Sequence, residues 1–356
     1  MRKGFAETIV GTFVLTMLTW SSAFAARGVI FPEAPLELRP GDHLEIVGIR
    51  GSVRLQPPAV GAPGQALVRA RKTIGATASP AALDAFDKLG FTVRREGRAV
   101  RIEPSGMDGA KVDWVGLTRP GMPELNLEIQ APSTPVDIGW RSGEVTLLGW
   151  KDAVSVELVE GSFLARRTEG FIRLQMQRGE ARIEGHRGRL EASSNAARLS
   201  GREIEGDVSA ESVNAVMAFQ GIEGTVRLRA YKAAASVAKG SGDLEFESSR
   251  APIDVSDFEG AVRGQSEDGP LTIQVTGEPE ISVETIRGPI TIRLPAGSGA
   301  TIRAVTEDGR IVVPDPPLRV SVQPGGRSVA GQMPGRAHLG HGSALAKSKS
   351  GNILIR

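Results

Sequence analysis

Small residues recur along the chain at one fixed interval. Glycine holds six consecutive positions of this period, at 170, 188, 206, 224, 242 and 260. A second series lies half a period out of phase and holds glycine or alanine at eight consecutive positions: Gly143, Gly161, Gly179, Ala197, Ala215, Ala233, Ala251 and Gly269. Self-similarity at one fixed period is typical of repeat architectures.

The residues after each small residue alternate between apolar and polar. Val226 and Leu228 are apolar two and four positions after Gly224, and Arg227 between them is polar. Such alternation is typical of a strand with one buried face. Two strands in each repeat predict a coil that stacks on the next coil, with each strand parallel to its equivalent one repeat later. We therefore expect an all-β fold, a single-chain parallel β-solenoid with about 18 residues per coil. An antiparallel meander with glycine turns is the alternative.

The two series predict two kinds of corner. Glycine at every position of the 170–260 series indicates a backbone with positive φ, where a Cβ costs about 1 kcal/mol. The other series accepts alanine four times in a row, at positions 197, 215, 233 and 251. We interpret it as a corner that requires a small volume and no positive φ.

Residues 26–130 are predicted to form a first coil and a capping block. The segment 51–55 has the pattern of a repeat strand. Ser79 as N-cap and Pro80 at the first helical position predict the one helix, over 80–89, with Gly90 to close it.

A hairpin is expected beyond that helix, with strands at 91–93 and 100–102. This block is expected to cover the open edge of the first coil. The solenoid repeats are assigned to 131–314, a Pro/Gly-rich loop to 315–342 and a terminal strand to 343–356.

Residues 1–25 have the pattern of a secretory signal peptide. Arg2 and Lys3 precede an apolar run over 8–20, and Ala23 and Ala25 form a small-x-small cleavage site. The run is too short for a membrane anchor, and no cysteine follows the site to carry a lipid anchor. We expect an exported protein, in the periplasm or at the cell surface.

Composition narrows the classes of function. The absence of cysteine excludes disulfide scaffolds, thiol catalysis and cysteine-ligated metals. Lys and Arg number 43 against 41 Asp and Glu, a net charge of +2. Because no basic stretch stands out, we expect no nucleic-acid partner.

Carboxylates are the candidates for enzyme chemistry, since several β-helix enzymes act on polysaccharides through outward Asp and Glu. Asp243, Glu245 and Glu247 share one face of one strand. In the stacked register, arginines lie beside two of them: Arg227 and Arg263 flank Glu245, and Arg229 lies beside Glu247. We interpret this pattern as a charge ladder that fixes register, and we predict no catalytic residue.

Histidine and tryptophan give weaker signals. The pair His338 and His341 has no acidic neighbour, so we interpret it as a solvated loop and expect no metal site and no cofactor. His186 is expected to be exposed. Trp140 and Trp150 flank the first regular coil, and we expect core positions under the N-terminal cap; stacking on sugar rings is the alternative.

One outward face loses its charges in the middle of the repeats. It is a possible contact face, and its residues are Val216, Ala218, Ala234, Ser236 and Pro252. Soluble proteins seldom leave such a patch bare. We expect an intramolecular lid, either the 80–89 helix or the 314–342 loop; a partner protein or a second copy is the alternative.

The chain resembles the bacterial "putative adhesin" family in its serial Ser-Gly-x-apolar units. Examples begin at Ser142, Ser241 and Ser350. The resemblance covers about residues 36–356, and the alanine corner departs from it. It implies an exported β-solenoid without catalytic residues.

We therefore expect a non-enzymatic, exported, structural or adhesive protein of the bacterial cell envelope. Its partner would be an envelope protein, a glycan or a second copy. A carbohydrate-active β-helix enzyme, with a saccharide beside Asp243 and Glu247, is the first alternative. A polymerising scaffold like the bactofilins is the second, and the leader argues against that cytoplasmic role.

Overall fold

The computed structural model describes residues 27–58, 66–106, 121–296, 300–313, 319–323, 326–332 and 342–356. The predicted signal peptide and the pair His338 and His341 lie outside these residues. The described part of the chain is all-β, with 23 strands and one helix, which confirms the predicted class. No helix in these residues is long and apolar enough to cross a membrane.

The strands fall into three parts of the chain. The N-terminal part holds β1 (Arg27–Ile30), β2 (Ala34–Leu36), β3 (His43–Gln56), β4 (Ala66–Ile74), α1 (Pro80–Lys88), β5 (Gly90–Glu96), β6 (Ala99–Ser105) and β7 (Glu124–Gln130). The repeats hold β8 (Val136–Leu148), β9 (Val154–Arg166), β10 (Glu169–Glu205), β11 (Val208–Val213), β12 (Met217–Tyr231), β13 (Ala235–Ala238), β14 (Ser241–Ser249), β15 (Ile253–Ser266), β16 (Leu271–Thr285) and β17 (Ile290–Arg293). The C-terminal part holds β18 (Thr301–Thr306), β19 (Ile311–Val312), β20 (Arg319–Gln323), β21 (Gly326–Gln332), β22 (Ser343–Ser348) and β23 (Ile353–Ile355).

The repeat strands pair in parallel, each with its equivalent one repeat later. Leu190 pairs with Val208, Val208 with Val226, and Val226 with Leu244. These four side chains are at most 1% exposed, so the inward positions of successive strands form a continuous apolar column. A bulge between β15 and β16 lengthens the offset by a single position, since Val262 pairs with Ile281. The same one-residue shift appears in the sequence, where Gly288 lies 19 residues after Gly269.

The glycine corner has the conformation that its sequence predicts. The six glycines from 170 to 260 have φ between 105° and 143°. A Cβ on Gly224 would lie 2.5 Å from the carbonyl oxygen of Gly206, one coil below. Both a left-handed backbone and close approach of the neighbouring coil therefore require glycine.

The prediction for the second corner is wrong for its glycines. Gly161, for example, has φ of 142°, so positive φ occurs at this corner too. Its alanines are not left-handed. In three of those coils the left-handed residue is instead the one before the alanine: Asn214, Lys232 and Arg250, with φ of 62°, 51° and 55°. Moving the left-handed turn back by one residue allows a Cβ at the corner itself.

A third series of left-handed residues has the same period and is absent from the sequence predictions. It comprises Gly149, Arg167, Gly185, Glu203, Gly221, Lys239 and Asp257, with φ between 51° and 67°. A Cβ at Gly185 or Gly221 would meet only atoms 3.6 Å away or more. Because there is space for a side chain, charged residues replace glycine here, and a search for small residues misses the corner.

The N-terminal block contains the predicted helix and hairpin. The Ser79 hydroxyl accepts a hydrogen bond from the Ala82 N–H at 3.2 Å, and β5 pairs with β6 in antiparallel fashion. Gly90 does not close α1, because it begins β5. Instead, the buried Lys72 amine donates to the Phe86 and Leu89 carbonyls at 2.6 and 3.0 Å, which satisfies the helix end.

The C-terminal part differs from the prediction in two ways. The expected loop over 315–342 contains β20 and β21, which form an antiparallel hairpin on β18. The terminal segment does not follow the last coil in space. It inserts β22 between β16 and β18, so that Ile281, Ala344 and Ile302 are neighbours across three strands. Its buried Ala344 and Ala346 have the apolar alternation of a repeat strand, which fits this position in the stack.

Candidate functional site

The carboxylates that suggested enzyme chemistry are paired with arginines. Glu245 and Glu247 lie 3.3 Å from Arg227 and Arg229, their equivalents one coil earlier. Arg263 is the register partner of Glu245 on the next strand, as expected, but its ion pairs are with Asp243 at 3.8 Å and with Glu280. All three predicted carboxylates are about two-thirds exposed, so their environment is that of a solvated ion-pair ladder.

The same ladder extends over other coils. Ion pairs between equivalent positions of successive coils are Lys151–Glu169, Arg166–Glu184, Arg173–Glu191, Arg178–Glu160 and Arg187–Glu205. Each joins outward side chains that are 18 residues apart in the sequence. Opposite charges that face each other across adjacent strands favour one register over a shifted one.

The two tryptophans are core residues. Trp140 and Trp150 are 2% and 0% exposed, and their indole N–H groups donate to the carbonyl oxygens of Gly51 and Thr134. The Trp140 ring lies against Gly48, where a Cβ would overlap it. The expectation of a core under the N-terminal block is therefore confirmed.

His186 is buried, and the expectation of an exposed side chain is wrong. Its Nδ1 lies 3.0 Å from the Thr168 hydroxyl, and its Nε2 has no hydrogen-bond partner. Burial lowers the pKa of this imidazole, because the charged form would lose its hydration. His186 lies one period after Thr168 and one period before the buried Ile204, so it occupies an inward position of the repeat.

The residues of the predicted contact face lie on or next to strands that pair with one another. Ala218 pairs with Ser236, and Ser236 pairs with Asp254. Val216 and Pro252 are exposed, while Ala218, Ala234 and Ser236 are half-buried. Three adjacent strands thus present small, mostly uncharged side chains outward.

Neither described part of the expected lid lies on this face. Helix α1 packs on β4 through Ala82 and Phe86 against Ile74, and the β20–β21 hairpin pairs with β18. The lid expectation is wrong for both elements, because each has an apolar or hydrogen-bonded partner elsewhere. Nothing in the described residues shows what contacts the face.

A groove that the sequence did not predict runs across the stacked coils. It encloses about 590 Å³, and we call it the Tyr231 groove. One side is formed by the outward column Glu211, Arg229, Glu247, Gln265 and Glu284, and the other by Val213, Tyr231, Ser249, Glu267 and Ile286. Buried small residues lie between the two columns: Ser212, Ala230, Ser248 and Ser266.

The groove continues along the same two columns into earlier coils. A second section of about 340 Å³ shares Glu211 and Val213 with the first. Half of its outward side chains are amides or hydroxyls, namely Gln175, Gln177, Ser193 and Asn195. The two sections together follow the stacking direction from Glu157 to Ile286.

Tyr231, the one tyrosine of the chain, is 40% exposed in this groove. The Lys232 amine and the Arg250 guanidinium lie 5.3 and 5.6 Å from its ring centre. Ile286, 47% exposed, lies on the same side of the groove. The sequence offered one signal for this site, a single tyrosine in a chain with only 4% aromatic residues.

Two of the three buried serines between the columns make hydrogen bonds through their hydroxyl groups. The Ser212 and Ser248 hydroxyls donate to the carbonyl oxygens of Ala215 and Ala251. The Ser266 hydroxyl is buried and has no hydrogen-bond partner. In the described residues, no cluster of three or more His, Asp or Glu side chains is placed to hold a metal ion.

No family model and no curated protein matches the chain. Solved structures with a likeness to it include a "putative cell adhesion protein" from Clostridium sporogenes, at 11% identity, TM-score 0.18, covering 93% of this chain and 99% of that one. A "putative lipid binding protein" from Parabacteroides distasonis has 10% identity and TM-score 0.30, covering 91% and 96%. A "putative adhesin" from Bacteroides fragilis has 11% identity and TM-score 0.24, covering 92% and 97%. These scores are too low to establish a shared fold, so the names describe those proteins alone.

Proposed function

We propose that the chain is a parallel β-solenoid, exported from the cytoplasm, and that it acts as a non-enzymatic structural or adhesive protein of the bacterial cell envelope. The observation that carries this proposal is the constant parallel register between successive coils, maintained from β8 to β15. Stacked coils of this kind present long, regular outer faces, which suit adhesion and support.

The ends of the stack argue against a polymerising scaffold. At one end, β4 pairs with β7 in antiparallel fashion, and β1 and β2 pair with β4. At the other end, the β20–β21 hairpin lies on β18. A coil that adds to another copy end to end needs an open parallel edge, and antiparallel strands at both ends cover such edges.

The carboxylates argue against a glycoside hydrolase. A general acid needs a raised pKa, which requires burial or a second carboxylate close by. Asp243, Glu245 and Glu247 are instead exposed and paired with arginines.

Two measurements on the whole chain test this proposal. In a bacterial host, the protein in the envelope fraction should have the intact mass of a chain that starts at Ala26. The variant Leu15→Arg, which interrupts the apolar run of the leader, should remain in the cytoplasm at full length.

In the second measurement, the purified mature chain should release no reducing ends from a panel of neutral and acidic polysaccharides. Polysaccharide cleavage by the purified chain would contradict the proposal, as would a full-length protein in the envelope.

A further inference from the structure

We propose that the Tyr231 groove binds a neutral glycan chain that lies along the stacking direction. This inference rests on the proposed adhesive function and names its ligand class.

The first observation that supports it is the elongated shape of the site. The groove follows equivalent positions of successive coils, and the section around Tyr231 alone spans five of them. Coils about 4.8 Å apart give that section a length of about 19 Å. A site so elongated fits a polymer better than a small molecule.

The charge of the groove excludes anionic ligands. The section around Tyr231 contains Glu211, Glu247, Glu267 and Glu284 against Arg229 alone. In the described residues, Glu211 and Glu284 have no ion pair within 4.0 Å. With Lys232 and Arg250 beside the Tyr231 ring counted, four carboxylates still outnumber three cations, on a chain of net charge +2. Phosphate-rich or uronic acid-rich polymers would be repelled.

A cationic peptide fits less well than a neutral polymer. The ring of Tyr231 already has two cations near it, Lys232 and Arg250, which disfavour a third. Arg229 lies in the same groove. The continuation toward Glu157 is lined mainly by uncharged polar groups, with the amides of Gln175, Gln177 and Asn195. A basic polypeptide would find only the carboxylates of Glu157 and Glu211 as partners for its charges in that part.

The remaining groups match a polymer rich in hydroxyls. Carboxylates accept hydrogen bonds from hydroxyl groups, and amides both donate and accept. Tyr231 and Ile286 supply apolar surface in the same section. Apolar patches among convergent polar groups are typical of ligand sites, and sugar rings present both kinds of surface.

The chain offers a matched control for Tyr231. Phe171 is a half-buried aromatic residue, with the guanidinium groups of Arg173 and Arg189 at 5.3 and 5.9 Å from its ring centre. It does not line either section of the groove. Removing its ring deletes the same kind of aromatic–cation contact on another face. Tyr231→Phe is the conservative variant, since it retains the ring and removes the hydroxyl.

The experiment measures binding of the purified mature chain to three probes by calorimetry. They are neutral β-linked oligosaccharides of hexoses and N-acetylhexosamines, an oligosaccharide of uronic acids, and an oligolysine peptide. We expect the neutral probe alone to bind. Tyr231→Ala should weaken that binding about tenfold, the effect of losing one aromatic contact. Phe171→Ala and Tyr231→Phe should each change it less than about twofold.

Each result supports or overturns the inference. If no neutral oligosaccharide binds, or if Tyr231→Ala binds as well as the wild type, the groove is not the glycan site. Binding of oligolysine alone, lost in Glu211→Gln, would identify a basic peptide as the ligand and overturn it too. Far-ultraviolet circular dichroism of each variant separates loss of binding from loss of fold. Cleavage of a bound oligosaccharide would contradict the non-enzymatic function and leave the binding site intact.

Discussion

The carbonyl oxygen of Gly188 occupies the space that a Cβ on Gly206 would need. Gly206 has φ of 134°, and its equivalents in the coils on either side, Gly188 and Gly224, are also left-handed. The backbone of one coil therefore lies directly against the backbone of the next at this corner. Glycine is required here for two separate reasons, conformation and space.

Gly206→Ala should lower the free energy of unfolding by about 2 kcal/mol or more, because strain at positive φ adds to the overlap with Gly188. Ala215→Gly, at the other corner, should cost about 1 kcal/mol or less, since Ala215 is not left-handed and loses only backbone restriction. Urea denaturation of both variants tests this. Equal losses would show that the two corners do not differ.

Lys239→Gly should raise the free energy of unfolding by about 1 kcal/mol. Lys239 has φ of 54°, and its equivalents Gly185 and Gly221 have the same left-handed backbone. Its N–H bond to the Ser256 carbonyl is retained in glycine. Lys239→Ala is the control, because it removes the side chain and keeps the strain. Urea denaturation should therefore show a gain for glycine and none for alanine.

The repeat could be predicted from the sequence at positions where the backbone conformation and the available space allow only glycine. Gly206 tolerates no Cβ, so the period appears directly in the sequence. Lys239 and Arg167 occupy a corner with space for side chains, and the period there is hidden among charged residues. The insertion of β22 was not predictable, because Ala344 and Ala346 have the same apolar alternation as any repeat strand. Alternation identifies a strand but not its neighbour.

The groove was hidden for a related reason. Glu211 and Gln265 stand at outward positions, where polar residues are expected whether or not they bind anything. Only the stacking of equivalent positions brings them together in one column. His186 was missed because its polarity suggested exposure, while its place in the period makes it an inward residue.

Glu245→Gln should change the free energy of unfolding by less than about 1 kcal/mol. The Glu245–Arg227 pair is exposed on both sides, so water and ions screen it. The loss should shrink when sodium chloride is raised to about 1 M, where charges interact over only about 3 Å. Ser209→Ala, which removes no charge from the strand beside Arg227, should show no such salt dependence. A large, salt-independent loss would indicate a role other than the charge ladder.

Acid should destabilise the protein through His186. Its folded-state pKa is lowered from 6.5 by burial, so the unfolded chain binds the proton more readily. The stability is fully present above pH 6.5 and declines as the pH falls toward the folded-state pKa, by at most about 1.4 kcal/mol per pH unit.

His186→Leu should remove this part of the pH dependence, measured as the difference between wild-type and variant unfolding free energies at pH 7.5 and 5.5. His43→Gln is the control, because His43 is partly exposed beside Glu45. The same slope in wild type and His186→Leu would show that other groups cause the acid sensitivity.

Ala234→Glu should leave the free energy of unfolding within about 0.5 kcal/mol of wild type. The side chain points outward from a half-buried position, and α1 and the β20–β21 hairpin both pack elsewhere. A covering lid would be displaced by a new charge, and stability would fall. Ser209→Glu is the matched control, because it also replaces a small exposed residue with an acidic one, on a strand beside Arg227.

Analytical ultracentrifugation of the same variants tests the remaining alternative. Self-association that Ala234→Glu abolishes and Ser209→Glu preserves would identify the face as an interface between copies. Unchanged stability and unchanged association together would identify it as a low-charge outer surface that tolerates an acidic residue.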